Sequence, residues 1–158
     1  MQSIGEPLFD EYVIVDWSAA NTPKTGKDSI WIASARRRRN CVTPIKLLNP
    51  RTRAEAMQIL LRKFEKAASS GRRLFAGFDF PFGYPAGAAR AIAGAARWDA
   101  LWAALYKGID DDDNNRSNRF ALANSWNSRK FPSHVYWGRP HQHRYRHLNA
   151  KKPASDYF

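Results

Sequence analysis

Residues 74–85 read LFAGFDFPFGYP, and this stretch decides the fold that the sequence predicts. Leu74 to Phe78 form a short apolar run, as in a strand that is covered on both faces. Asp79 ends the run, and the two prolines and the glycine that follow cannot continue a sheet, because proline removes a ladder donor. A carboxylate at the carboxyl end of a central strand lies where open α/β sheets bind ligands. Asp79 is therefore a candidate site residue, with capping of the next turn or helix as the alternative.

Three strands and a helix are predicted before this stretch. Residues 12–15 form a β-branched run that also ends in an acid, Asp16. Alternating apolar residues predict a second strand over 29–35, and residues 41–48 predict a third, which its proline restricts to the edge of the sheet. Apolar residues at helical spacing, after a capping box at Thr52–Glu55, predict a helix before the fourth strand. The order β-β-β-α-β indicates an α/β fold.

The acids that follow two of these strands are expected to meet. The helix is long enough for a crossover, so the first and fourth strands can lie parallel and adjacent, with Cα atoms roughly 5 Å apart. Asp16 and Asp79 would then lie at the same edge of the sheet, and Glu55 in the first turn of the helix. Carboxylates that lie together repel unless a cation separates them, and such oxygen ligands suit Mg²⁺ or Mn²⁺. All three are candidate catalytic and metal-binding residues, although capping alone is an equal explanation for Glu55.

Two segments of the sequence resemble a known family. VIVDWSAA at residues 13–20 and AGFDFPFGYP at residues 76–85 are similar to segments of a bacterial family of predicted RNase H-like nucleases of unassigned function. The resemblance spans about residues 12–85. It implies a ribonuclease H-like mixed sheet of strand order 3-2-1-4-5, with the three acids as metal ligands. After residue 85 the sequence predicts helices, but neither a fifth strand nor the acid on a late helix that usually completes the site.

The sequence therefore predicts a nuclease that cleaves phosphodiester bonds of RNA or DNA by a two-metal mechanism, with Mg²⁺ or Mn²⁺ held by the three acids. The chain contains 26 Lys and Arg against 14 Asp and Glu, a formal net charge of +12, which favours nucleic acid as a partner. The arginine run is interpreted as a basic turn, for which plain solvation is the alternative. The candidate nucleic-acid-binding residues are Trp17, Lys24, Lys27, Arg36, Arg37, Arg38 and Arg39.

Two other classes of function are open alternatives. A nucleic-acid-binding or scaffold module that keeps the fold without turnover is favoured by the lack of a fifth strand and a fourth acid. A small-molecule phosphotransferase of the actin and sugar-kinase superfamily shares the strand-Asp opening. It is disfavoured because it needs a second lobe, for which 158 residues are too few.

The remaining features bound the organisation and setting of the chain. We expect one domain over residues 1–126 and an irregular basic segment over 127–158. The single cysteine, Cys41, excludes an intrachain disulfide and favours a reduced, cytoplasmic setting. We find no signal-peptide pattern and no stretch long enough for a membrane span. A homodimer could supply the missing edge of the sheet.

Overall fold

The computed structural model describes residues 8–38, 41–80 and 82–152. The first seven residues of the chain, Arg39 and Pro81 lie outside the described residues, and so do the predictions made for them. The chain forms two compact units, and each is described by itself. Unit one contains residues 1–80 and 112–116, and unit two contains residues 81–111 and 117–158.

The described residues form an α/β fold with one mixed, open sheet and four helices, so the predicted α/β class and mixed sheet are confirmed. Unit one contains β1 (Glu11–Asp16), β2 (Trp31–Arg38), β3 (Cys41–Val42), β4 (Lys46–Leu48), α1 (Arg53–Ser69) and β5 (Leu74–Phe78). Unit two contains α2 (Ala88–Ala93), α3 (Trp98–Gly108) and α4 (Arg119–Arg129). The domain boundary predicted between residues 126 and 127 falls inside α4. None of the described helices is long and apolar enough to cross a membrane, and the cytoplasmic location stays a prediction.

β1 lies in the interior of the sheet and pairs on both of its edges. It runs antiparallel to β2 and parallel to β5, and both β3 and β4 run antiparallel to β2. The strand order is β3-β2-β1-β5, with β4 also beside β2. The first and fourth predicted strands are thus adjacent and parallel. Within the described part of the chain, no strand pairs with the outer edge of β5, and a homodimer that completes this edge stays a prediction.

The predicted third strand is two short strands, so the observed order differs from the expected one. Thr43, Pro44 and Ile45 separate β3 from β4. Pro44 has no N–H to donate to β2. Thr43 holds the interruption against β2, because its Oγ1 accepts a hydrogen bond from Arg36 N at 2.9 Å and its N–H donates to the Arg36 carbonyl at 2.7 Å. Proline therefore breaks the edge strand as well as confining it to the edge.

The prediction of a basic turn is wrong for Arg36, Arg37 and Arg38, which lie in β2. The register places Arg36 opposite Glu11 on β1. The Glu11 carboxylate accepts hydrogen bonds from Arg36 Nε at 2.7 Å and from Arg72 Nε at 2.6 Å. This cross-strand ion pair holds β2 extended beyond its apolar residues, and a run of four arginines gives no sign of it.

α1 covers one face of the sheet. It buries Ala56 and Leu60 in a core that includes Val13 and Val15, which are 1% and 0% exposed. Successive side chains of a strand alternate between the two faces. Ile14, between these valines, is 50% exposed and lies on the face away from α1. Even-numbered residues of β1 therefore face away from the helix.

A buried polar contact attaches residues 112–116 to the start of α1. Arg53, which is 9% exposed, donates from its backbone N–H to Asn115 Oδ1 at 2.7 Å and from Nη2 to the Asn115 carbonyl at 2.6 Å. The Asn115 side-chain amide donates to the carbonyls of Thr22 at 3.2 Å and Arg51 at 3.3 Å. Asn115 also has a φ of 68°, which asparagine adopts more readily than most residues. It thus joins the loop after β1 to the entry of α1.

The core of unit two lies between α2 and α3. Gly94, with a φ of 75°, ends α2 and separates the two helices. Two tryptophans of α3 fix the turn that precedes α2. Trp98 and Trp102 donate from their indole Nε1 atoms to the carbonyl of Phe82, at 2.7 and 3.3 Å.

The C-terminal segment predicted to begin at residue 127 starts inside α4, and its described residues beyond the helix, 130–152, form no further helix or named strand but are fixed to α4. Asn127, which is 2% exposed, accepts a hydrogen bond at Oδ1 from Tyr136 N at 2.9 Å. Its Nδ2 donates to the carbonyls of Tyr136 at 2.9 Å and His147 at 2.6 Å. Leu148 is 1% exposed. The segment therefore contributes to the interior of unit two.

We expect Asn115→Ala to lower the free energy of unfolding by about 2–4 kcal/mol, because it removes buried hydrogen bonds and places alanine at a positive φ. Denaturant unfolding followed by circular dichroism measures the change. Asn114→Ala is the matched control, since Asn114 is exposed, and it should change stability by less than about 0.5 kcal/mol. Equal losses in the two variants would contradict the role given to Asn115.

Candidate functional site

Asp16 and Asp79 lie side by side at the carboxyl edge of the parallel strand pair. Asp16 is the last residue of β1, and Asp79 directly follows β5. The register pairs Val15 with Phe78, and Asp79 N donates to the Val15 carbonyl at 3.2 Å, so the two acids end their strands at the same level. Both residues are exposed. The predicted placement of the two carboxylates is therefore found in the structure.

The two carboxyl groups are close enough to share a proton. A hydrogen bond with Asp79 raises the pKa of Asp16 above its usual value, and partial desolvation and the repulsion between the two charges act in the same direction. A carboxyl pair of this kind favours either one shared proton or a cation between the groups. The pair is thus an acidic site at which the fully charged form is disfavoured.

The pair lies on the face of the sheet away from α1. Phe78 packs against the core that α1 covers, so Asp79, the next residue, faces the other side. Asp16 is opposite Trp31 across the β1–β2 ladder, and the Trp31 side chain is 37% exposed. Its Nε1 donates to the Gly26 carbonyl at 3.1 Å. An indole ring held by the adjoining loop therefore lies beside the acid pair.

Backbone hydrogen bonding positions Asp79. Trp17 N donates to Asp79 Oδ1 at 2.8 Å, which fixes one oxygen of the carboxylate. The Trp17 ring packs partly against the unit-one core and meets Phe80 edge to face, with centroids 6.2 Å apart. Trp17 was predicted to contact nucleic acid. Its observed contacts are those of a residue that orients the acid and contributes to packing.

The structure places Glu55 at the N-terminus of α1, where it has a capping role. Thr52 Oγ1 accepts from Glu55 N at 3.1 Å, and the Glu55 carboxylate accepts from Arg51 N at 2.8 Å. The predicted capping box is thus present in a variant form, with Arg51 as the partner of the carboxylate. α1 also lies on the face opposite Asp16 and Asp79. Among the described residues, no three His, Cys, Asp or Glu side chains form a group that could hold a metal ion.

The basic residues predicted to bind nucleic acid have different surroundings. Arg36 is hydrogen-bonded to the Glu11 carboxylate. Partial burial raises the pKa of Glu11, but the hydrogen bonds from Arg36 and Arg72 outweigh this effect and hold the pKa below its usual value. Lys24 lies 3.8 Å from the Asp28 carboxylate, whereas the side chains of Lys27 and Arg38 are exposed.

The other two predicted arginines add little. Arg37 is half-buried in β2, and Arg39 lies outside the described residues. Of the basic residues predicted to bind nucleic acid, Lys24, Lys27 and Arg38 are therefore the exposed ones within the described part of the chain.

Sequence reasoning gave less weight to two parts of this site. A tryptophan in a predicted strand is typical of core packing, and only the cross-strand register of Trp31 places it beside Asp16. The loop of residues 17–28 is held by Asn49, whose Oδ1 accepts from Gly26 N at 2.7 Å and whose Nδ2 donates to the Ile30 carbonyl at 2.6 Å. An asparagine at the end of an edge strand carries no local signal of this role.

Asp16→Asn should raise the melting temperature at about pH 7. An acid whose folded-state pKa is raised stabilises the fold fully only below its unfolded value, about 3.9, and this contribution is lost as pH rises through the folded-state pKa. The gain from Asp16→Asn should therefore disappear at about pH 3.5, where the Asp16 carboxyl of the wild type is largely protonated. Thermal unfolding at the two pH values checks this, with Glu65→Gln on the exposed side of α1 as the control. A gain of equal size at both pH values would refute the explanation.

Comparison with protein-family models, curated proteins and solved structures finds no match to this chain. The similarity to RNase H-like nucleases therefore rests on the residues quoted above and stays a prediction. Function has to be argued from the acid pair and its surroundings.

Proposed function

We propose that the chain is a metal-dependent nuclease that cleaves phosphodiester bonds of RNA or DNA, with Asp16 and Asp79 as ligands of Mg²⁺ or Mn²⁺. The observation that carries the proposal is the contact between two exposed carboxyl groups at the carboxyl edge of adjacent parallel strands. Ligands commonly bind at this edge of open α/β sheets. An acid whose pKa is raised by a neighbouring carboxyl group, at such a place, is a common feature of functional sites.

The donor set fits a hard divalent cation. Oxygen ligands from one or two carboxylates are the usual protein contribution to a Mg²⁺ site. A cation between Asp16 and Asp79 would replace their hydrogen bond, the main cause of the raised pKa of Asp16, and would remove the repulsion that also contributes to it. When bound, the ion would supply a water of lowered pKa and stabilise charge on the phosphate oxygens.

Residues around the two acids can orient the site and contact nucleic acid whether or not an ion is bound. The Trp17 N–H holds one oxygen of Asp79 and so fixes the direction of its carboxylate. The exposed Trp31 ring offers a surface on which a nucleobase can stack, which is worth about 1–3 kcal/mol per base. The formal charge of +12 favours approach of a polyanion.

Whether the site binds one metal ion or the predicted two depends on whether Glu55 can act as a ligand. Its carboxylate accepts from Arg51 N in the described structure, so a ligand role requires that this hydrogen bond be given up. The proposal therefore assigns Asp16 and Asp79 to the primary ion. Glu55 is retained as the predicted ligand of the second.

The RNase H-like assignment is part of the same proposal. The mixed sheet, with β1 between an antiparallel and a parallel neighbour, supports it, and so do the acids that end β1 and follow β5. The two-part third strand and the unpaired outer edge of β5 among the described residues depart from the expected pattern.

We expect the full chain to cleave labelled single-stranded RNA, duplex DNA or an RNA–DNA hybrid with Mg²⁺ or Mn²⁺ and to be inactive in EDTA. Asp16→Asn and Asp79→Asn should each reduce the rate by about 100-fold or more, because each removes a metal ligand. Glu65→Gln removes one exposed carboxylate elsewhere on unit one and should leave the rate unchanged. The proposal fails if no substrate is cleaved, or if Asp79→Asn cleaves at the wild-type rate.

Glu55→Gln tests the second ion within the same assay. Glutamine at this helix position keeps a side-chain oxygen for the backbone N–H of Arg51, so the cap is retained while the charge is lost. A fall in rate with an unchanged melting temperature would support a ligand role for Glu55. An unchanged rate would leave Glu55 as a cap and contradict the two-ion form of the proposal.

A nucleic-acid-binding module without turnover is the second candidate function. It is favoured because the Glu55 carboxylate accepts a hydrogen bond from Arg51 N, as a helix cap does, instead of facing the acid pair. It requires salt-dependent binding that persists in EDTA.

Arg38→Gln should lower the slope of log K against log salt by about 1, because an exposed phosphate contact is lost. Arg36→Gln should mainly lower stability, since Arg36 is bonded to Glu11. Binding that vanishes in EDTA would exclude this candidate, and fluorescence anisotropy over a salt series measures both effects.

A further inference from the structure

Unit two contains a cleft of about 580 Å³ between the turn that precedes α2 and the segment that follows α4. Its volume lies in the range of small-molecule sites, about 300–1,000 Å³. The walls are mainly apolar, with Pro85 on one side and Phe131 and Val135 on the other. The polar side chains among the lining residues are Tyr84, Lys130, Ser133 and Tyr136.

Tyr136 is held rigidly in the wall of this cleft. Asn127 binds both its backbone N–H and its carbonyl, each at 2.9 Å. The ring contacts Trp126 and Phe131, with centroids 6.0 and 5.7 Å away. A side chain fixed in this way loses little conformational entropy when a ligand binds.

The phenol hydroxyls of Tyr84 and Tyr136 are hydrogen-bond donors on residues that line the cleft. Neither makes a hydrogen bond to another described residue. Burial raises the pKa of Tyr136 above its usual value, and the nearby Tyr84 phenol acts in the same direction. Burial also raises the pKa of Tyr84. Both phenols therefore stay protonated at neutral pH and can donate to an acceptor in the cleft.

Lys130 supplies the charge at this site. It directly follows α4, is exposed, and lines the cleft without an ion pair to any described acid. No Asp or Glu is among the lining residues. A bound cation would therefore meet only an ammonium, whereas a single negative charge would be matched by Lys130.

We propose that this cleft binds a small aromatic carboxylate. The flat ring would lie between the apolar walls around Pro85 and Phe131, and its carboxylate would face Lys130 and accept hydrogen bonds from Tyr84 and Tyr136. A single cation and two neutral donors match a monoanion. A phosphate dianion would lack a second cation, and an aliphatic ligand would make poorer contact with the Phe131 and Tyr136 rings. This site lies in unit two and does not depend on the nuclease proposal.

The test uses 1-naphthoate with the full chain, by isothermal titration calorimetry and ligand-observed NMR. We expect saturable one-to-one binding with a dissociation constant below about 1 mM. Naphthamide, which has the same shape but no charge, should bind more weakly. Lys130→Met and Tyr136→Phe should each raise the dissociation constant roughly threefold to tenfold.

Lys107→Met is the control, because Lys107 is an exposed lysine of α3 that does not line the cleft. It should bind 1-naphthoate as the wild type does. Tyr136→Phe keeps the ring contacts with Trp126 and Phe131, so it should remain folded, and its melting temperature verifies this. The proposal is overturned if binding is not saturable, or if folded Lys130→Met and Tyr136→Phe bind as tightly as wild type.

Discussion

The pairing of β1 on both of its edges is the constraint on which unit one depends. One edge is antiparallel to β2, and the other is parallel to β5. Parallel pairing requires a crossover, so α1 must cover one face of the sheet between the two strands. The two registers together fix which side chains of β1 face the helix. The position of Asp16 on the open face, level with Asp79, is therefore set by backbone pairing and needs no interaction of its own.

This arrangement keeps a local conflict inside an otherwise consistent fold. The contact between the Asp16 and Asp79 carboxyl groups opposes folding at neutral pH. The surrounding interactions favour folding, because the side chains between α1 and the sheet are buried and the Asp79 carboxylate accepts a hydrogen bond from Trp17 N. Natural proteins commonly break local rules at functional positions and compensate elsewhere. The compensation here includes Glu11, whose bonds to Arg36 and Arg72 hold the opposite end of β1.

The sequence predicted what local patterns and topology can determine. The β-branched run before Asp16, the apolar run before Asp79 and the helix between them were sufficient to bring these two acids together. The extension of β2 through Arg38 and the bond from Arg51 to Glu55 depend on partners that no local pattern names. Asn115 is a clear case, because its contact with Arg53 joins residues 62 positions apart. The cleft beside Tyr136 likewise requires two segments that only folding brings together.

The return of residues 112–116 to unit one affects how the protein can be divided. A fragment that stops after residue 80 would contain every described strand but would lack Asn115, so the largely buried Arg53 would lose two hydrogen bonds. Unit one is thus formed from two separate segments of the sequence and cannot be transferred to another protein as one continuous segment. A recombined protein that keeps unit one intact must contain both segments, residues 1–80 and residues 112–116. Alternatively, a linker must attach a copy of residues 112–116, which follow α3 in the chain, to the first segment.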